Sequence, residues 1–262
     1  MPRRIIDISS TLKAGIASDP PHMLPRINYR NHHDTAPSMA ALMGVPVEAL
    51  PEGEYAAVEE ITLSTHNGTH LDAPYHYFSR MDEALVPGGR PAIRIDEVPL
   101  DWCLQPGVKL DFRKLPDGYV ATPDDVRREL DRIGHVLKPL EIVVVNTAAG
   151  ARYGQPDFLD TGCGIGKAAT LWMLEQGVRV VGTDAWSWDA PFSHTARRVK
   201  ETGDASLIWE GHRAGREIGY CHMEKLSNLD ALPADGFTVA CFPVKIERAS
   251  AGWTRAVAII EE

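Results

Sequence analysis

Three histidines and an aspartate fall within eleven residues of one stretch, STHNGTHLDAPYHY (64–77): His66, His70, Asp72 and His76, spaced four, two and four apart. Neutral imidazole and carboxylate are the ligands that Zn²⁺ and Mn²⁺ take. Two histidines four apart would share a helix face, as in HExxH sites. Here Asn67-Gly68 lies between them and Pro74 just beyond, a pairing that favours a turn in an otherwise extended segment. Side chains alternate along a strand, so His70 and Asp72 point the same way. The turn folds His66 back beside them, and three donors converge on one divalent ion. His76 lies past the Pro74 bend and is expected near the ion without binding it.

An ion with three protein ligands keeps a position for water and lowers that water's pKa from about 15.7 towards about 7. Hydroxide is then available at neutral pH to attack an amide or lactone carbonyl, which the ion also polarises. A proton must travel from the nucleophile to the leaving nitrogen. His76 is the candidate carrier, because an imidazole pKa of about 6.5 permits both acceptance and donation.

These residues need a scaffold. A chain of 262 residues buries a sizeable core without disulfides or a structural metal. The formal net charge of −9 argues against a nucleic-acid partner, which would need an excess of Lys and Arg. Arg197, Arg198 and Lys200 read as a solvated helix face. Cys103, Cys163, Cys221 and Cys241 form no CxxC pair, and isolated thiols suggest a reducing, cytoplasmic compartment. MPRRIIDISS is not a signal peptide, and no eighteen-residue apolar run predicts a membrane span.

Residues 5–8, 57–64, 107–112, 141–147, 178–184, 237–246 and 254–260 read as strands; the second is expected to run into the histidine-rich stretch. Residues 122–139 read as a helix opened by Thr122, Pro123, Asp124 and Asp125. Residues 165–177 and 205–217 read as two more, and 15–55 as a long loop, an interaction segment or lid. The sum is a single α/β domain, 1–262, with a mixed, strand-rich sheet and flanking helices. TGCGIG (161–166) suggests a phosphate loop, but no strand directly precedes its glycines, so they are expected to shape the helix entry. Trp186 and Trp188 would share one side of an extended segment and form an aromatic wall for a flat substrate, with core packing the competing expectation. Tyr75 and Tyr77, on either side of His76, have the same two readings.

His66 to His76, read as H-x-G-T-H-x-D-x-P-x-H, resembles the signature of the cyclase family of metal-dependent hydrolases, which includes isatin hydrolase and bacterial kynurenine formamidase. GKAATLWMLEQGVRVVGTDAWSWD (166–189) and the last third of the chain resemble that family too. The resemblance implies a swivelling β/β/α fold and first ligands at His66, His70 and Asp72, with a proton-transfer role for His76. It adds His212 and Glu224 as downstream ligands, with His194 and His222 close to them in sequence. Ser187 and Asp189 match family positions without an assigned role. It further implies one or two ions, Mn or Zn, a small-molecule substrate, and a homodimer or larger homo-oligomer. The activity it implies is opening of an isatin-like lactam. Alternatives are N-formyl-kynurenine hydrolysis, lactone hydrolysis, or polyketide-type ring closure.

Overall fold

The valine-rich segment Ile142–Asn146 is buried at every position, as a strand covered on both faces must be. The computed structural model, which describes residues 2–261, puts it at the centre of a nine-stranded sheet. In chain order the strands are β1 (Arg3–Asp7), β2 (His70–Asp72), β3 (Leu104–Asp111), β4 (Ile142–Asn146), β5 (Val180–Thr183), β6 (Cys221–Glu224), β7 (Phe237–Ala240), β8 (Ala251–Trp253) and β9 (Val257–Glu261). Their spatial order is β1-β9-β7-β3-β4-β5-β6-β2-β8. Strands β3 to β6 run parallel, and every other pairing is antiparallel. The helices are α1 (His32–Met43), α2 (Pro74–Tyr77), α3 (Pro123–Ile133), α4 (Lys167–Glu175), α5 (Phe192–Thr202) and α6 (Glu210–Glu217). This is the mixed α/β architecture expected.

Alternation along β4 builds two cores. Val143 and Val145 face a cluster that includes Leu130 of α3 and Met173 of α4. Ile142 and Val144 face the other, with Val180, Met223, Val239 and Ala258. None of the helices among the described residues is long and apolar enough to cross a membrane. The four cysteines are buried and free.

Several expectations need correction. Helix α3 keeps its Thr122–Asp125 capping box but stops at Ile133, where Gly134 turns left-handed, rather than at 139. The 205–217 helix breaks in two because Trp209 adopts φ 56°, leaving α6 to start at Glu210. Segment 15–55 is not a plain loop. It carries α1, with an Asn31–Asp34 capping box and a Gly44 stop, and a strand at Arg26–Arg30. Pro37 inside α1 and the polar His32-His33-Asp34 start mask that helix. The strand Val58–Thr62 pairs with Arg26–Arg30 and stays exposed, outside the main sheet. The strand expected over 237–246 ends at Ala240. Arg197, Arg198 and Lys200 do lie on a helix, α5. In TGCGIG, Gly164 pairs with Val120, and a Cβ there would meet the backbone N of Ala190 at 1.8 Å, so the glycine serves close chain approach.

Candidate metal centre

Strand β2 is clamped between β6 and β8. Its register sets Asp72 opposite His222 and His70 opposite Glu224. Period-two alternation puts His70 and Asp72 on one face, and does the same for His222 and Glu224, so four donor groups meet on one side of the sheet. His222 Nε2 lies 3.0 Å from Asp72 Oδ2 and 3.2 Å from Glu224 Oε1. His70 Nε2 lies 3.4 Å from Asp72 Oδ1 and 3.6 Å from Glu224 Oε2.

Two further imidazoles come from local turns. Ser64–Asn67 closes through a 3.1 Å backbone hydrogen bond, and Gly68 follows at φ 63°. This turn returns His66 to the strand, with Nδ1 2.9 Å from Asp72 Oδ1. His212 sits in the first turn of α6. Asp189 accepts from the backbone N–H of Gly211 and of His212 and from His212 Nδ1, so the carboxylate favours the helix start and fixes the imidazole together. His76 lies on α2, a single turn opened by Pro74, and its ring is 4.2 Å from that of His66. The structure thus brings together His66, His70, Asp72, His76, His212 and Glu224. It adds His222, which sequence reasoning leaves aside; the signal is its period-two spacing from Glu224 inside an apolar segment.

The orientation of each ring follows from its second nitrogen. His70 Nδ1 donates to the Gly68 carbonyl at 2.8 Å. His222 Nδ1 lies 3.1 Å from the Tyr77 hydroxyl, which in turn donates to the Asp72 carbonyl. His70 Nε2 therefore faces the carboxylates as a lone pair, and His222 turns its Nε2 to the same Asp72 and Glu224 residues. His70 Nε2, both Asp72 oxygens and His222 Nε2 are buried without a hydrogen-bond partner. Buried polar atoms are normally satisfied. Four orphans converging at these distances, in a nitrogen and oxygen set, fit a divalent cation. Donor atoms of Asp72, His212, His222 and Glu224 group together, as do those of His66, Asp72 and His76.

Electrostatics agree. Burial opposes charge on Asp72, yet the imidazoles of His70, His76 and His66 hold its pKa well below the ordinary range. Burial likewise opposes charge on Glu224, and His222 brings it down to about 2. Burial would lower His222, but Asp72 and Glu224 pull it up to about 9. Burial dominates at His76 and pushes it down to about 4, despite the attraction of Asp72.

A cavity of about 240 Å³ opens beside the cluster, with His66, His76, Trp186, Phe192 and Trp209 on its walls. Trp209 stacks on His212 at 4.5 Å with near-parallel planes. Of the aromatic residues expected to form a wall, only Trp186 does so. Residues 184–189 follow a bend rather than a strand. Trp188 therefore turns into the core, fully buried, and its indole N–H donates to Thr170 Oγ1 at 3.0 Å. Tyr75 is exposed and packs under the Arg94 guanidinium at 4.7 Å. Tyr77 supports His222. Ser187 lines the cavity. Asp189 orients His212, and the Trp188 backbone N–H donates to Glu224 Oε1 at 2.9 Å.

Asp184 opens this loop and ties it to the neighbouring one, accepting from the Thr147 N–H and hydroxyl. Burial raises its pKa to about 7 against those hydrogen bonds. The unfolded carboxyl ionises near 3.8. Between the two values only the folded state keeps the proton, so the stability contribution of Asp184 falls as pH rises from about 4 to about 7, by about 4 kcal/mol. Urea unfolding of Asp184→Asn beside the parent is expected to show the variant gaining in relative stability across that window. A pH-independent difference would refute the assignment.

Residues 6–190 match the model of a protein family described as "Putative cyclase". Three solved structures share the fold. One is an isatin hydrolase bound to the product analogue thioisatinate, with TM-score 0.75 and 20% identity over 99% of this chain and 93% of that one. Isatin hydrolase A from Labrenzia aggregata, bound to benzyl benzoate, gives 0.71 and 23% over 99% and 94%. A predicted metal-dependent hydrolase from Bacillus stearothermophilus gives 0.66 and 17% over 100% of both chains.

Proposed function

Because the chain belongs to the Cyclase family, we propose that it is a metal-dependent hydrolase and that its substrate is a cyclic amide, an isatin-like lactam. The observation that carries this reading is the set of orphaned donors: His70 Nε2, Asp72 Oδ1 and Oδ2, and His222 Nε2, buried on one face of the sheet. Together with Glu224, and with His66 and His212 at the margin, they would hold one or two divalent ions, Mn or Zn. The chemistry such an ion supplies is Lewis acidity, which polarises a carbonyl and acidifies water from about 15.7 towards about 7.

The protein's own residues do the rest. Asp189 keeps His212 in one tautomer, leaving Nε2 for the site. His76, held neutral by burial, is the proton acceptor at the cavity wall. Having taken a proton from the attacking water, it can return that proton to the leaving nitrogen. Trp186, Phe192 and Trp209 offer flat apolar surfaces to an aryl ring fused to the amide.

The test is loss of isatin absorbance by protein stripped of metal and reloaded with Mn²⁺ or Zn²⁺. N-formyl-kynurenine and an aryl lactone are run beside it. Metal-dependent loss of isatin is expected. Turnover of the formamide or the lactone alone would move the assignment to that bond, and silence on all three would overturn the hydrolase reading. Absence of solvent ¹⁸O from a product would point instead to ring closure.

A further inference from the structure

Next to Glu224 the chain places a cation that the chemistry above does not use. Lys225 is 1% exposed, yet it lines the same cavity as Glu224. Strand alternation would send neighbouring side chains to opposite faces. Lys225 escapes it by adopting φ 57°, a left-handed conformation that residues with a Cβ rarely take. Strained backbone of this kind concentrates at functional sites.

Its surroundings define a direction. Lys225 Nζ donates to Asp19 Oδ1 and to the His66 carbonyl. An ammonium has three protons, so one is left. The Trp186 ring centroid lies 5.8 Å from Nζ, on the wall of the cavity. Asp19 is itself saturated. It also accepts from Asn67 Nδ2 at 2.9 Å, Ser18 Oγ at 3.0 Å and Trp186 Nε1 at 3.1 Å. The carboxylate's charge is thus shared among four donors, and Lys225 keeps positive character towards the cavity.

We propose that Lys225 is a substrate-positioning residue whose third ammonium proton binds an anionic oxygen, so that the site takes ligands bearing a carboxylate on an aryl or acyl frame. Hydrolysis of a cyclic amide forms such a group, since cleavage of the C–N bond by water leaves a carboxylate and an amine. The proposal rests on the reading of this cavity as the substrate site. Asp19 aims the ammonium, and the segment bearing Asp19 and Met23 closes that side of the cavity.

The experiment is calorimetric binding of phenylglyoxylate and of its neutral amide to the full chain, with Mn²⁺ and again in EDTA. Removing Lys225 alone would strand a buried carboxylate, so the main variant is the double replacement Asp19→Asn with Lys225→Met. A charge-assisted hydrogen bond lost should weaken phenylglyoxylate about tenfold or more, with the amide unaffected. Equal losses for both ligands, or none, would overturn the proposal. Asp19→Asn alone removes the neutralising partner and should tighten phenylglyoxylate; an unchanged affinity would also overturn it. Because the readout is binding, it stands whether or not isatin is turned over.

Discussion

Asp72→Asn is expected to abolish stoichiometric binding of a divalent ion and to lower kcat/KM on the metal-dependent substrate by on the order of 10³-fold or more, since Lewis-acid stabilisation is worth several kcal/mol. Asp72 is the one residue common to both groups of converging donors. Its two oxygens divide the site, Oδ1 facing His66 and His70 and Oδ2 facing His222. Asparagine has nearly the same shape but replaces one oxygen with an NH₂ group, which cannot ligate. It also removes the charge that offsets a dication. Metal content by elemental analysis and kcat/KM after reloading are the two measurements. A variant that binds metal as tightly as the parent would show that the orphaned atoms are satisfied some other way.

His76→Ala should separate proton transfer from metal binding. A positioned general acid or base contributes about 10² to 10⁴ in rate, so kcat is expected to fall within that range while metal content stays at the parent level. The geometry makes the test sharp, because His76 is near enough to His66 and Asp72 to be a ligand itself. If metal content falls together with kcat, His76 belongs to the ligand set and the proton carrier is another group. The cavity wall stays otherwise intact, since Trp186 and Trp209 come from other segments.

The stretch 64–77 is legible in the sequence because its geometry is local. A turn at Asn67-Gly68 and alternation through His70 and Asp72 suffice to predict that His66, His70 and Asp72 converge. His222 is not legible in this way. It reaches Asp72 only through the pairing of β6 with β2, a contact between residues about 150 positions apart, and nothing in Cys221–Glu224 announces its partner. Trp186 and Trp188 look equivalent in sequence, and a bend that spacing cannot reveal sends one to the cavity and the other to the core. Lys225 looks like an ordinary surface lysine until its left-handed backbone is seen. The central strands are readable because burial on both faces leaves them nearly pure in β-branched residues, whereas α1 hides behind an internal proline.

The placement of β2 has a consequence for how the protein is made. Neither neighbour of this three-residue strand exists when His70 and Asp72 leave the ribosome, because β6 and β8 come much later in the chain. At synthesis rates of about 5 to 20 residues per second, the wait between Asp72 and His222 is roughly 8 to 30 seconds. During that interval the histidine-rich stretch has no sheet to join. A nascent chain halted before residue 221 carries His66, His70 and Asp72 but lacks the strand that aligns them. The centre therefore assembles only after β6 and β8 have been made, and its donors converge after most of the segment between them has been synthesised.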